Sequence, residues 1–464
     1  MHIICYNRVE KNQRLWKESS DIMEFKRDKY LKQLLEKQNN SLIKVITGAR
    51  RSGKSYLLNN IFYRELIKNG VEEAHIIRFA FDNDENIDLL EKYYPNEATK
   101  IINREGYYTV NSKKFRAYIK DITNDSDYFY LLLDEIQILD SFVGTLNGFL
   151  THENFDVYVT GSNSQLLSSE IETKFRGRKS SIHVLPLSFK EFMDGINMNV
   201  NDAWKEYIIT GGIPIVYKQP KDDRYEYLKE LSTEVYLKDI IGRRNVIDVQ
   251  SLEELFNVLA SSIGCGISPA NLEKRFKSER KVSVTDDTIN NYIKHFQDSF
   301  VISKAIKYNI KGKAYINTPY KIYFEDIGVR NAIIDFHQIE ETHIMENIIY
   351  NELRYRGFNV SVGEIDVNEM TDRIDKNGKK IYAKKSLEID FIATKGNEKY
   401  YIQSCLNMSD ENTANREKRS LFYINDSFKK IIVTKDGLAP RKDENGFTII
   451  DIFDFLMNDD SMNY

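Results

Sequence analysis

Cysteine is the scarcest chemistry in this chain: three thiols, Cys5, Cys265 and Cys405, are scattered over 464 residues. Such spacing excludes a disulfide framework and a four-thiolate zinc site, and the seven histidines show no ligand spacing near the thiols. Long apolar runs are missing as well. Nothing approaches the roughly 18 apolar residues of a membrane span. The opening MHIICYNRVEKNQRLW carries charges where a secretory leader needs its apolar segment. A cytoplasmic protein without membrane partners is expected.

What is present is a globular composition, 41% hydrophobic and 29% charged, in a chain long enough for about three domains. The net charge of -4 hides an uneven distribution. Between Ala270 and Lys321 there are eleven Lys and Arg against five Asp and Glu, so one stretch is basic and the remainder correspondingly acidic.

The stretch with the sharpest chemistry is Gly48-Ala49-Arg50-Arg51-Ser52-Gly53-Lys54-Ser55, which fits the phosphate-loop pattern GxxxxGK[ST] at every fixed position. Leu42 to Thr47 (LIKVIT) before it reads as a buried parallel strand, and Tyr56-Leu57-Leu58 after it opens a helical pattern. In that context Gly48 and Gly53 let the backbone wrap a polyphosphate, with loop N–H groups and the helix N-terminus facing the anion. Lys54 then neutralises the β- and γ-phosphates and Ser55 offers its hydroxyl to Mg²⁺. ATP and Mg²⁺ are the expected ligands of the run from Gly48 to Tyr56.

Residues before the loop are polar apart from an amphipathic segment, Phe25 to Leu35. His75 to Phe81 reads as a second strand and Asp127 to Ile136 as a third. The third delivers Asp134-Glu135 at its C-terminal edge, where ligands collect in open α/β sheets. Asp134 is expected to serve the Mg²⁺ shell and Glu135 to polarise the attacking water. Asp156 to Ser162 (DVYVTGS) is another strand, whose end supplies either a polar γ-phosphate sensor, Ser162 or Asn163 ahead of Thr160, or simply a turn. On the loop from Phe175 to Lys179, Arg176 or Arg178 is a candidate arginine finger toward a neighbouring subunit's nucleotide, or else part of a basic surface turn.

Together GARRSGKS, LLLDEIQ, VYVTGSNSQLL, FRGR, VLPLSFKEF and the TGGIP of Thr210 to Pro214 resemble the large group of bacterial and archaeal AAA-type ATPases. Members of that group carry a C-terminal domain similar to a degenerate restriction endonuclease. The resemblance runs from Phe25 to Leu456 and takes in Phe324 to Gly328 (FEDIG), Glu346-Asn347, Leu387 to Ile392, Tyr401 to Gln403 and Thr413 to Ser420. It implies ATP hydrolysis and a small helical lid over Trp204 to Asn245. Arg243 and Arg244 there are either a second nucleotide sensor or a charged helix end.

Residues 251–325 read as a winged helix: three helices over Leu252 to Ile263, Ser268 to Phe276 and Thr285 to Ser299, then strands Phe300 to Tyr308 and Ala314 to Phe324 around Lys311-Gly312-Lys313. The basic stretch coincides with it. Lys294, Lys307, Lys311 and Lys313 are natural phosphate contacts, opposed by Asp286, Asp287 and Asp298 on the third helix. Further on, a restriction-like nuclease needs a helix glutamate, a strand aspartate and Glu/Gln-x-Lys on the next strand. Glu346, Asp390 and Gln403-Ser404-Cys405 match except at the last position, where a thiol replaces the ammonium. Lys399 lies on the same predicted strand but roughly 13 Å away. Cleavage is therefore not expected, and Glu346 and Asp390 are either metal ligands or remnants.

The sequence thus describes an α/β protein with a P-loop AAA-type parallel-sheet domain and N-terminal helix (1–200), a helical lid (201–250), a winged helix (251–325) and a restriction-endonuclease-like α/β domain (326–464). The expected function is Mg²⁺-dependent ATP hydrolysis coupled to nucleic acid, with DNA and a second copy of the chain as partners. A regulatory ATP switch acting on a protein partner is the alternative, and a Mg²⁺ nuclease ranks last.

Overall fold

The structure is a computed structural model and describes residues 23–102, 107–124, 126–161, 175, 177–237, 240–242, 246, 248–280, 284–374, 380–408 and 410–464. Its first half is built on β1 (Ile43–Thr47) and β2 (Ile76–Ala80), a short antiparallel ribbon β3 (Lys100–Ile102) and β4 (Tyr108–Val110), then β5 (Phe129–Asp134), β6 (Phe155–Gly161) and β7 (Lys179–His183). Five of these form a parallel sheet in the order β2-β5-β6-β1-β7. Every residue of β1 and of β5 is buried, as strands covered on both faces require. One face carries Phe79, Phe115, Leu131 and Leu133, the other Leu57, Phe62, Leu132 and Tyr158. Because β6 lies between β1 and β5, the ends of all three meet at one edge of the sheet.

The second half opens with helices Val200–Thr210 and Arg224–Glu230, followed by Val249–Ser261, Pro269–Arg275 and Asp286–Asp298. Strand β8 (Gly266–Ile267) precedes the hairpin of β9 (Ile302–Asn309) and β10 (Ala314–Phe324). Beyond the hairpin come β11 (Asn359–Ile374), β12 (Lys380–Lys395), β13 (Glu398–Ser404), β14 (Lys429–Thr434), β15 (Arg441–Lys442) and β16 (Thr448–Asp451). All nine strands join one sheet, in the order β15-β16-β14-β13-β12-β11-β9-β10-β8. The joint is β9 against β11, parallel, with Lys307 opposite Val362. Main-chain hydrogen bonds therefore tie the hairpin of the expected 251–325 unit to the strands of the expected 326–464 unit. One hydrophobic core likewise runs from Trp204 of the first helix through Phe256, Phe296 and Phe324 to Phe391 and Phe455. Among the described residues, no helix is long and apolar enough to cross a membrane.

A buried ion pair fixes the floor of the first sheet. Lys44 on β1 is 0% exposed and its ammonium meets the carboxylate of Asp156 on β6, which is 2% exposed. Tyr158 donates to the same carboxylate at 2.8 Å. Removing one partner of such a pair strands the other charge. Lys44→Ala is expected to cost about 3–5 kcal/mol, seen as a lower urea midpoint, whereas Lys44→Met combined with Asp156→Leu should recover most of it. Equal destabilisation by the single and double variants would show that packing, not charge, is what Lys44 supplies.

Candidate active site

At the convergent edge of the parallel sheet, β1 runs into the glycine loop. Gly48 has φ 145°, and a Cβ there would lie 2.2 Å from the Val184 carbonyl oxygen, so a side chain would collide with the backbone leaving β7. Gly53 has φ 95° and precedes a helical segment formed by Lys54–Tyr56, Leu57–Phe62 and Tyr63–Lys68. Lys54 at its start is 4% exposed. Its ammonium donates to the carbonyls of Gly48 at 3.0 Å and Ala49 at 2.7 Å. Burial lowers the Lys54 pKa to about 8, against the pull of Glu135 and Asp134.

Ser55 donates to Asp134 Oδ1 at 3.1 Å, and Asn59 to Asp134 Oδ2 at 3.4 Å. Loop and acidic strand end are thus brought together across the intervening β6. Burial raises the Asp134 pKa, against hydrogen bonds from Thr160 and Ser55. Thr160, near the end of β6, donates to Asp134 and accepts the Glu135 N–H at 3.0 Å. It therefore orients both acids from below. Glu135 sits in the left-handed region at φ 51°, ψ 49°, with Gln137 donating to its carboxylate. Ser55 and Asp134 are hard oxygen donors of the kind Mg²⁺ takes, and they would be its protein contacts beside a bound nucleotide.

A cavity of about 610 Å³ extends from these residues. Arg50, Arg51, Lys54, Ser55, Asp82 and Glu135 line one end, while Met23, Phe25, Tyr56, Pro214, Ile215 and the stem of Lys218 line the other. One end suits a polyphosphate and the other a planar apolar group. Several of these residues escape sequence reasoning because they arrive from distant elements. Asp82 follows β2, Met23 to Phe25 precede the first described helix, and Tyr236 donates to the Arg50 carbonyl at 2.9 Å. The only available signal was Pro214, within the TGGIP motif.

Other sequence candidates fare differently. Ser162, Asn163, Arg176, Arg243 and Arg244 lie outside the described residues. Arg178 is exposed, and its carbonyl accepts the N–H of Ile43, the first residue of β1. Parallel pairing of β7 with β1 puts Arg178 at the opposite end of the sheet from the loop, about 15 Å away at 3.3 Å per residue. It is not part of this chain's own nucleotide site. Lys307 is corrected too: it is 9% exposed and paired with Glu364 at 3.2 Å and Glu388 at 2.7 Å.

Glu346 and Asp390 do converge, and the ammonium missing from position 405 comes from β10. Lys321 lies 2.9 Å from Glu346, 2.8 Å from Glu388 and 3.5 Å from Asp390, and is itself 4% exposed. Tyr323 donates to Glu346 at 2.6 Å. Burial first, then the Glu346 charge, raises the Asp390 pKa. Cys405 takes no part: its thiol faces the Asn407 carbonyl at 3.2 Å, and burial pushes it up to about 11. Among the described residues, no three His, Cys, Asp or Glu side chains are grouped to hold a metal ion.

Residues 40–193 match the family model of an AAA domain, and residues 201–340 that of a domain of unknown function. An uncharacterized protein of Haemophilus influenzae is 30% identical over 438 residues, covering 93% of this chain and 98% of that one. One from Methanocaldococcus jannaschii is 29% identical over 391 residues, covering 80% and 76%. Among solved structures, the ORC2 protein of Aeropyrum pernix superposes with a TM-score of 0.34 at 11% identity, over 73% of this chain and 98% of that one. Cdc6p of Pyrobaculum aerophilum gives 0.32 at 15%, over 71% and 97%.

The depressed Lys54 pKa has a consequence for ligand binding. A polyphosphate stabilises the ammonium, so binding above pH 8 must take up a proton. Nucleotide affinity is expected to fall with rising pH above about 8, by at most about tenfold per unit. Titration with a fluorescent ATP analogue from pH 7 to 9.5 measures this, and Lys54→Arg, whose guanidinium stays charged, should flatten the slope. A flat wild-type profile would mean that Lys54 is already fully protonated throughout that range.

Proposed function

This chain belongs to the family of AAA-domain proteins represented by its Haemophilus influenzae relative, and from that premise we propose that it binds and hydrolyses ATP with Mg²⁺. We propose further that turnover is coupled to nucleic acid through the second half of the molecule. The observation that carries the first reading is the convergence of Lys54, Ser55, Asp134 and Glu135 at the polar end of one cavity whose other end is apolar. Lys54 and the loop N–H groups hold the β- and γ-phosphates, and the apolar end takes the base. Glu135 polarises the water that attacks the γ-phosphorus, and Thr160 fixes its backbone. Mg²⁺ at Ser55 and Asp134 neutralises phosphate charge when bound.

Coupling to nucleic acid is supported by three helices followed by a hairpin, the layout of a winged helix, with β8 pairing against β10. Lys294, Lys311 and Lys313 are exposed there and remain the phosphate contacts of this reading. A nucleotide-dependent switch acting on a protein partner is the alternative. Cleavage stays last, because Lys321 already sits in the middle of the Glu346, Glu388 and Asp390 carboxylates, where it gives them a structural counter-charge.

Two variants test the assignment of roles. Lys54→Ala should lose nucleotide affinity and turnover together, whereas Glu135→Gln should bind ATP and lower kcat by roughly 10²-fold or more. Wild-type turnover in Glu135→Gln would remove it from the water-activating role. Duplex DNA should stimulate the ATPase, and its binding should weaken steeply with log[salt], since lysines displace counterions. No DNA effect at low salt would leave the protein-partner switch.

The position of Arg178 restricts an arginine finger to contacts between copies. If it acts that way, Arg178→Ala should bind ATP, lose hydrolysis, and regain part of it when mixed with Lys54→Ala. Specific activity independent of protein concentration, with no rescue on mixing, would discard this role.

A further inference from the structure

The motif Phe324 to Gly328 lies where β10 leaves the large sheet, and its two consecutive carboxylates are buried against two different parts of the nucleotide site's framework. Glu325, 2% exposed, lies 3.0 and 3.2 Å from His183 Nε2, 3.2 Å from the Arg354 guanidinium and 3.3 Å from Ser303 Oγ. The other ring nitrogen of His183 is 3.4 Å from Thr47 Oγ1, on the residue just before Gly48. The next residue, Val184, donates to the Thr47 carbonyl at 2.7 Å. Its own carbonyl is the group that leaves no room for a side chain at Gly48. Glu325 therefore braces the strand end on which the first turn of the phosphate loop rests.

Asp326 faces the other way. It accepts the N–H of Gly212 at 2.6 Å and of Val329 at 2.9 Å, and a Cβ at Gly211 would lie 2.4 Å from its carboxylate. The chain then continues through Ile213 to Pro214 and Ile215, which line the apolar end of the cavity. Gly328 is closed in as tightly, since a Cβ there would lie 2.1 Å from the Thr210 carbonyl. TGGIP and FEDIG are thus the two halves of one joint.

We propose that Glu325 and Asp326 are positioning residues of the nucleotide site, contributed by the second half of the molecule, so that nucleotide binding and the docking of that half reinforce each other. The proposal rests on the nucleotide reading above. By linkage, whatever affinity the docked carboxylates give to ATP, ATP returns to the docked arrangement. Neither carboxylate touches the ligand; Glu325 acts through His183 and Val184, and Asp326 through the backbone of Gly212.

The test uses the full chain, with Glu325→Gln and Asp326→Asn, and ATP in the presence of Mg²⁺. Each variant should raise KM and weaken ATP binding about tenfold, within the usual range of coupling between sites, with kcat changed much less. The ATP-induced rise in unfolding temperature should shrink in proportion. A merely structural role would lower stability without ATP and leave both affinity and the ATP-induced rise unchanged, and that result overturns the proposal. Hydrogen exchange on the wild-type protein needs no variant: ATP should slow amide exchange at residues 47–57 and also at 208–214 and 324–332. Protection confined to 47–57 refutes the coupling while sparing the nucleotide reading, and no protection at 47–57 refutes both.

Discussion

A charge removed from water has to be met by an opposite charge or by hydrogen-bond donors, and this molecule is assembled around groups that satisfy that requirement across long sequence distances. Lys44 and Asp156 lock β1 to β6. Arg27, 3% exposed, pairs with Glu191 at 3.1 Å and donates to the Leu185 carbonyl, tying the segment before the first described helix to the chain beyond β7. Lys321 holds Glu346, Glu388 and Asp390 together at the centre of the large sheet. Glu325 and Asp326 join the two halves. Each of these groups, left alone, would oppose the arrangement it now secures.

The nucleotide cavity inherits its shape from those clamps. Its polar end needs the ends of β1, β5 and β6 at one edge, which the strand order provides, and its apolar end needs Met23 to Phe25 and Pro214 to Ile215 to approach from opposite directions. The first approach is held by Arg27 and by Tyr30, whose hydroxyl accepts the Leu185 N–H at 3.0 Å. The second is held by Asp326. A site of this kind is a property of the whole chain rather than of a detachable ATPase module.

The same holds for the second half. Its three helices and hairpin have the layout of a nucleic-acid-binding unit, yet β9 pairs with β11 and one core continues from Trp204 to Phe455. A rearrangement near the cavity has a rigid path to the exposed lysines of the hairpin turn, because packed cores and continuous sheets move as bodies rather than deforming locally. Phe324 illustrates the stiffness of that path: the amide of Asn347 both accepts its N–H and donates to its carbonyl, each at 2.8 Å.

What the sequence determined by itself was local. Strands β1, β5 and β6 were legible because a strand buried on both faces must be apolar throughout, and the glycine loop because its backbone conformation and its chemistry both demand fixed residues at fixed spacing. The third helix of the basic stretch was legible from its period, and Ala314–Phe324 emerged with the bounds its β-branched and aromatic run suggested. The tertiary structure decided whatever depends on which distant residue fills a given space. Pairing of β7 beside β1 sent Arg178 to the far edge. Merging of the hairpin with the large sheet brought Lys321 to carboxylates that a linear motif assigns to a lysine at position 405. Burial turned Lys307 from a phosphate contact into an internal ion pair. Spacing along a chain records local geometry, whereas proximity across a sheet or between two packed halves depends on strand order and docking, and no window of sequence encodes those separately.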